Sequence, residues 1–406
     1  MLQAKHKTGL VFFPAFDWAI SPTHPEREER LLYTQDQVVE EGLLDIEGIL
    51  ELKPDPATLN DIQRVHFCVP DVWSVATESH FISAGGAKTI GMAVLDDHIK
   101  RGFALVRPPG HHAMRVVHGS RGFCNINIEA VMIEYLRQAY DIGKVAIVDT
   151  DCHHGDGTQD IYWHDPDTLF ISIHQDGRTL YPGSGFPNEL GGPNAIGKTL
   201  NVPLPPYTSE EGFLYTVEHV IMPVLNDFKP DIIINSAGQD NHYTDPITNM
   251  NFSAQGYAKL TSILKPDIAV LEGGYSIEGA LPYVTVENIE NLEQIDAQID
   301  EAIESNDVDN ISLHNQAFHR YLYQANPFQI SIPLIESLWL QLGPFSRIAI
   351  SKLEKVYLVD RHVEAIDALK QRNLFGLRRA IEADIRDGIA SINTVAGIHD
   401  YFRGVA

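Results

Sequence analysis

The segment Asp149-Thr150-Asp151-Cys152-His153-His154-Gly155-Asp156 sets carboxylates and imidazoles close together along the chain. In an extended stretch side chains alternate, so Asp149, Asp151 and His153 point to one side and bring both ligand types together. Asp240, in Ser-Ala-Gly-Gln-Asp (236–240), can add a second carboxylate from elsewhere in the chain. Two carboxylates and one imidazole, with positions left for water and substrate, make a catalytic Zn²⁺ site, and Fe²⁺ accepts the same donors. His111 and His112 follow a rigid Pro-Pro-Gly turn. Neighbouring histidines do not readily share one metal, and they suit proton transfer beside it. A histidine base needs a carboxylate behind it to fix its tautomer. Asp149 and Asp156 remain for that task once Asp151 is a ligand. A metal acidifies water and an imidazole removes the proton. Tyr275, after two glycines, can donate to a developing oxyanion. A lone Asp-x-His or Gly-Gly-Tyr is as readily a hydrogen-bonded loop or a packed turn. It is the combination that argues for chemistry.

Five short apolar stretches precede these residues. Phe103–Val106, Val145–Val148, Leu169–Ile173, Ile232–Asn235 and Ile268–Leu271 read as strands, with helical patterns such as Ile128–Tyr140 and Glu211–Leu225 between them. That alternation predicts an α/β fold with a mostly parallel sheet flanked by helices. Ligands of such sheets bind beyond the carboxyl ends of the strands. Each of the five stretches is followed by polar, titratable or glycine-rich residues: His111-His112, Asp149–Asp156, His174, Asp240 and Tyr275.

The chain has 406 residues and a formal net charge of −25. That balance disfavours nucleic acid, whose phosphates call for a basic face, and favours cationic ligands. Three cysteines, Cys68, Cys124 and Cys152, are too few for a disulfide framework. The opening residues are not expected to act as a secretory leader, and no apolar run reaches membrane-spanning length. The expectation is a reducing, cytoplasmic setting without a membrane partner. Residues 1–290 hold 25 of the 30 glycines and 20 of the 23 prolines. The division predicted is therefore a loop-rich α/β part, 1–290, followed by a smaller all-α part, 291–406.

The first part resembles the zinc-dependent histone deacetylase family, with its arginase/deacetylase fold. The resemblance rests on Arg-Pro-Pro-Gly-His-His-Ala (107–113), Gly-Phe-Cys-Asn-Ile-Asn (122–127), Asp-Thr-Asp-Cys-His-His-Gly-Asp-Gly-Thr (149–158), Ser-Ala-Gly-Gln-Asp (236–240) and Leu-Glu-Gly-Gly-Tyr (271–275), with His-Pro-Glu-Arg (24–27) near the start. It implies that Asp151, His153 and Asp240 ligate zinc. His111 and His112 would be the tandem pair, supported by Asp149 and Asp156 respectively, with His112 as general base and acid. Tyr275 would polarise the scissile carbonyl, and Gly122 and Phe123 would line the tunnel for the acyl-lysine stem. It further implies a structural K⁺ at Asp149, Asp151, His153 and Ser172. Two departures stand out. Gln239 replaces an apolar residue before the third ligand, and Ile247 stands where polyamine-selective animal relatives carry Glu. The second weakens a polyamine reading.

The second part resembles the FCD ligand-binding domain of GntR-type regulators, over roughly 291–390. The resemblance implies a metal site at Asn315, His319, His362 and Asp384, the last being a position where His is commonest. Asn315 and His319 stand one helical turn apart. Solvated polar residues on helix surfaces account for the same pattern. No winged-helix domain precedes this part, so sensing, homo-oligomerisation or covering the active-site rim are the roles to consider.

The expected function is a bacterial, metal-dependent deacylase that cleaves the amide of an acyl-lysine in a peptide or protein. An acetylpolyamine or other small acylamine is the alternative substrate. A ligand-responsive binding protein with the helical part as sensor is a different class of answer. Arginase-like chemistry needs two metals and more aspartates, and the paired histidines speak against it.

Overall fold

The computed structural model describes residues 3–277 apart from Asp17 and Pro22, together with Arg379, Ala383 and Arg386. The chain divides into two units, Met1–Asp296 and Ala297–Ala406. The 290/291 boundary and the candidate residues Asn315, His319, His362 and Asp384 lie outside the described residues.

The strands are β1 (Gln3–Phe13), β2 (Glu47–Glu51), β3 (Phe67–Cys68), β4 (Arg101–Val106), β5 (Val116–Val117), β6 (Val145–Asp149), β7 (Thr168–Gln175), β8 (Thr199–Leu204), β9 (Ile232–Ala237) and β10 (Ile268–Leu271). The helices are α1 (Glu29–Glu40), α2 (Leu59–Val65), α3 (Glu78–Leu95), α4 (Ile128–Ala139), α5 (Asp156–Tyr162), α6 (Glu210–Thr216), α7 (Met222–Phe228) and α8 (Ala254–Leu264). Eight strands form one sheet in the order β2-β1-β4-β10-β9-β6-β7-β8. Every neighbouring pair in it is parallel. β3 and β5 form a separate two-stranded ribbon.

The central strands read as unbroken apolar runs because both faces are covered. Their residues still alternate between two cores. Val145 and Ile147 pack with Ile90 of α3 and Met132 and Leu136 of α4. Ala146 and Val148 pack on the other face with Phe213, Leu225 and Leu260 from α6, α7 and α8. Phe103 and Leu105 of β4 join a third cluster with Leu31 and Val38 of α1.

Two local expectations are corrected. The helix expected over Glu211–Leu225 is divided into α6 and α7 by a wide π turn at Val217–Ile221. Pro223 sits in the first turn of α7. It offers no N–H, and its ring crowds the preceding turn, which opens the helix there. The segment after β6 does not stay extended either. The Asp151 N–H donates to Asp149 Oδ1 at 3.1 Å, and the His153 N–H donates to Asp151 Oδ1 at 2.8 Å. These side-chain-to-backbone bonds curl the loop.

Candidate active site and metal centre

Four adjacent strands, β4, β10, β9 and β6, end beside one another and deliver the polar segments to a common edge. Because the loop after β6 curls, Asp149 parts company with Asp151 and His153. Asp149 Oδ2 lies 3.0 Å from His111 Nδ1. Asp151 and His153 instead converge with Asp240, and the candidate ligand atoms of these three residues all lie within 4.8 Å of one another. His153 Nδ1 is 3.0 Å from Asp151 Oδ1 and 2.9 Å from Asp240 Oδ2. The far oxygens are anchored by backbone donors. Gly273 N–H reaches Asp151 Oδ2 at 2.7 Å, and Cys152 N–H reaches Asp240 Oδ1 at 2.8 Å. A Cβ on Gly273 would lie 2.6 Å from Asp151 Oδ2, so only glycine lets the β10 loop come this close.

The donor set fits a metal. Two carboxylates with no solvent exposure face each other across one imidazole. Burial lowers the pKa of His153, yet the Asp151 and Asp240 carboxylates push it up to about 10. That field calls for positive charge at the centre of the triad, which a divalent cation supplies.

The tandem histidines stand beside the triad with rings 4.1 Å apart. His112 Nδ1 lies 2.8 Å from Asp156 Oδ1. The two imidazoles are driven apart electrostatically. Burial lowers His111, but the Asp151 and Asp149 charges hold it well above its ordinary value. Burial and the neighbouring His111 charge push His112 down to about 3. The two imidazoles thus stand in opposite fields, which favour charge on His111 and a neutral ring at His112.

Gly122 and Phe123 pack against His112 and Tyr275. Gly122 has φ +52° and Phe123 φ +70°. A Cβ on Gly122 would overlap the His112 ring and lie 2.8 Å from Tyr181 Cε1. The Phe123 ring meets Tyr275 edge-on at 5.6 Å and His24 at 4.4 Å. Tyr181 meets His112 at 5.1 Å. The rings of His24, Phe123, Tyr275, Tyr181 and His112 thus gather around the Gly122–Phe123 turn beside the triad. Ser172 sits across from Asp149 in the β6–β7 register, and its hydroxyl lies 2.8 Å from His174 Nδ1.

Residues 69–287 match the histone deacetylase domain. A probable deacetylase of Archaeoglobus fulgidus is 43% identical over 309 residues, covering 69% of this chain and 84% of that protein. The chain belongs to the histone deacetylase family. As a member of it, the protein is an enzyme, a hydrolase. The acetoin utilization protein AcuC of Staphylococcus xylosus is 32% identical over 291 residues, 65% of this chain and 74% of that one. The crystal structure of the HDA15 HD domain superposes with a TM-score of 0.65 at 28% identity, covering 72% of this chain and 89% of that one. Residues 272–387 match the FCD domain, so the two matches share residues 272–287. Among the described residues no helix is long and apolar enough to cross a membrane.

In this deacetylase-family chain, sequence reasoning passed over the layer that holds the loops in place. Arg30 donates from Nε to the Gly274 carbonyl at 2.7 Å and from Nη2 to the Glu272 carbonyl at 2.6 Å. Glu26 pairs with Arg30 at 3.0 Å and with Arg107 at 2.7 Å, and all three side chains are fully buried. Arg107 also donates to the Pro14 and Ala15 carbonyls. Asp245 accepts the Tyr275 N–H at 2.8 Å, and Glu272 Oε2 accepts the Gly110 and His111 N–H groups at 2.7 and 3.0 Å. Glu26 and Arg107 lie inside quoted motifs, which was a signal. Arg30, one helical turn after Glu26, was readable only as an i,i+4 pair.

Proposed function

We propose that the protein hydrolyses the amide of an acyl-lysine, with Asp151, His153 and Asp240 holding a catalytic Zn²⁺. The observation that carries this reading is the pair of carboxylate-backed histidines standing beside a buried Asp-His-Asp triad. A divalent ion held by that triad supplies a Lewis acid that polarises the carbonyl and acidifies water. Neutral His112, oriented by Asp156, accepts the proton of the attacking water and returns it to the departing amine. His111, oriented by Asp149, places its other ring nitrogen beside the reacting centre. Tyr275 donates its phenol proton in a hydrogen bond to that oxygen. Gly122 and Phe123 flank a slender stem such as the lysine methylenes, and the rings of Phe123 and Tyr181 exclude water around it. Fe²⁺ suits the same donors. K⁺ at Asp149, Asp151, His153 and Ser172, and the division into a 1–290 catalytic part and a 291–406 helical part, belong to the same proposal.

The alternative substrate is an acetylpolyamine, which the chain's charge of −25 would also attract. The test is turnover of an acetyl-lysine peptide by zinc-loaded protein, run beside an acetylated polyamine and with Tyr275→Phe as control. Peptide turnover that falls about 10²–10³-fold in the variant supports the reading. Turnover of the polyamine alone keeps the mechanism and changes the substrate. Turnover of neither by metal-loaded protein rejects both.

A further inference from the structure

The turn that carries Phe123 also reaches the carboxylate behind His112. Arg121 and Cys124 exchange backbone hydrogen bonds at 2.8 and 2.9 Å. With Gly122 and Phe123 both at positive φ, they close a tight primed turn. Phe123 is not a glycine, so its positive φ is strained and has to be held by its surroundings. The side chain of Arg121 is one such surrounding group. Its Nε donates to Asp156 Oδ2 at 3.1 Å, and its Nη2 donates to the same oxygen.

Asp156 is thereby divided between two partners, Oδ1 to His112 and Oδ2 to Arg121. The ring of closure continues outward. The Arg121 guanidinium lies 6.0 Å from the Tyr181 ring centroid, and that ring stands edge-on to His112. The other dyad is built differently. Among the described residues the second oxygen of Asp149 accepts a backbone N–H, from Asp151, and no guanidinium. Arg121 reaches solvent where its carboxylate partner does not: its side chain is 42% exposed against 5% for Asp156.

We propose that Arg121 is a positioning residue for His112. By gripping Oδ2 it stops Asp156 from rotating, so Oδ1 stays aimed at His112 Nδ1 and the opposite ring nitrogen stays aimed at the reacting centre. Because the same turn bears Gly122 and Phe123, the wall that touches the substrate stem and the carboxylate that aims the base move as one body. The planar fork of Arg suits this grip, and a point-charge lysine replaces it only in part. The inference rests on the amide-hydrolysis reading for its kinetic consequence, and on geometry alone for its spectroscopic one.

The experiment compares wild type, Arg121→Met, Arg121→Lys, Asp156→Asn and the Arg121→Met/Asp156→Asn double variant, all metal-loaded to equal occupancy. Expected is a fall in kcat of roughly 10–100-fold for Arg121→Met with little change in KM, and partial rescue by Lys. In the Asp156→Asn background, Arg121→Met should cost less than about twofold, because a residue acting through Asp156 has nothing further to lose. Independently of any substrate, nitrogen-edited NMR of the His112 ring should show a single Nδ1-protonated tautomer in wild type and a mixture in Arg121→Met. An unchanged tautomer signal in Arg121→Met overturns the proposal. So does a full additive loss in the double variant. If wild type turns over no acylamine while the tautomer shift is seen, the amidohydrolase reading fails and the positioning role stands.

Discussion

The guanidinium of Arg30, on the first turn of α1, lies 4.8 Å from the Tyr275 ring centroid. Its donors hold the carbonyls of Glu272 and Gly274 on either side of the loop that delivers that ring. The proposed oxyanion donor is thus held by a residue 245 positions earlier in the chain. Arg30→Met should leave Glu26 paired only with Arg107 and two loop carbonyls unsatisfied. We expect a loss of about 3 kcal/mol of stability and, in the surviving folded fraction, kcat lower by about 10²-fold because Tyr275 drifts. Denaturant titration together with kcat per bound metal would show whether both occur.

Gly122→Ala tests the place proposed for the substrate stem. The added methyl overlaps the His112 ring, and alanine is strained at φ +52°. Turnover should fall by about 10²-fold or more while metal content stays at wild-type level. Retained turnover with a normal metal content would show that the wall yields.

Metal removal should cost stability as well as activity. Asp151 and Asp240 are buried against each other, and a cation bound only by the folded state stabilises it by about 2.7 kcal/mol at one hundred times Kd. Thermal melting of chelated protein should therefore rise on titration with Zn²⁺, and Asp240→Ala should abolish the rise. A melting temperature indifferent to metal would contradict the assignment. The same titration with Fe²⁺ compares the two ions.

Two histidines, His66 and His80, should contribute to acid lability. His66 Nδ1 donates to the Met114 carbonyl while Nε2 accepts the Asn127 N–H, a pattern only the neutral ring can make. His80 Nδ1 accepts the Thr77 N–H at the start of α3. Burial pushes both down to about 4 from 6.5. Between those values the unfolded chain binds more protons than the folded one. The stabilisation is complete above pH 6.5 and is lost as pH falls towards 4, by about 3 kcal/mol per histidine. Denaturant midpoints measured from pH 7 to 4.5 should fall along this curve, and His66→Gln should flatten it even if it is less stable at pH 7.

What was legible in the sequence was whatever is local. The five strand cores, α4 and the α/β class follow from short apolar runs and their spacing, because a central parallel strand buries both faces. The family was legible because its motifs are contiguous. The strands β1, β2 and β8 were not read. The β2 segment Glu47–Glu51 has only one of its five residues buried, so no apolar run announces an edge strand.

The sequence by itself determined which residue types stand at the strand ends, and so the chemistry available. The family resemblance implied how they divide the work, and the tertiary structure supplies the physical cause of that division. Asp149, Asp151 and His153 share one segment, yet side-chain bonds to the backbone curl it and send Asp149 to His111 and the others to Asp240. The grip of Arg30 on Glu272 spans 242 residues and that of Arg121 on Asp156 spans 35. Sequence periodicity reports which face of its own element a residue occupies. It carries no information about which distant carbonyl or carboxylate the fold will bring to that face.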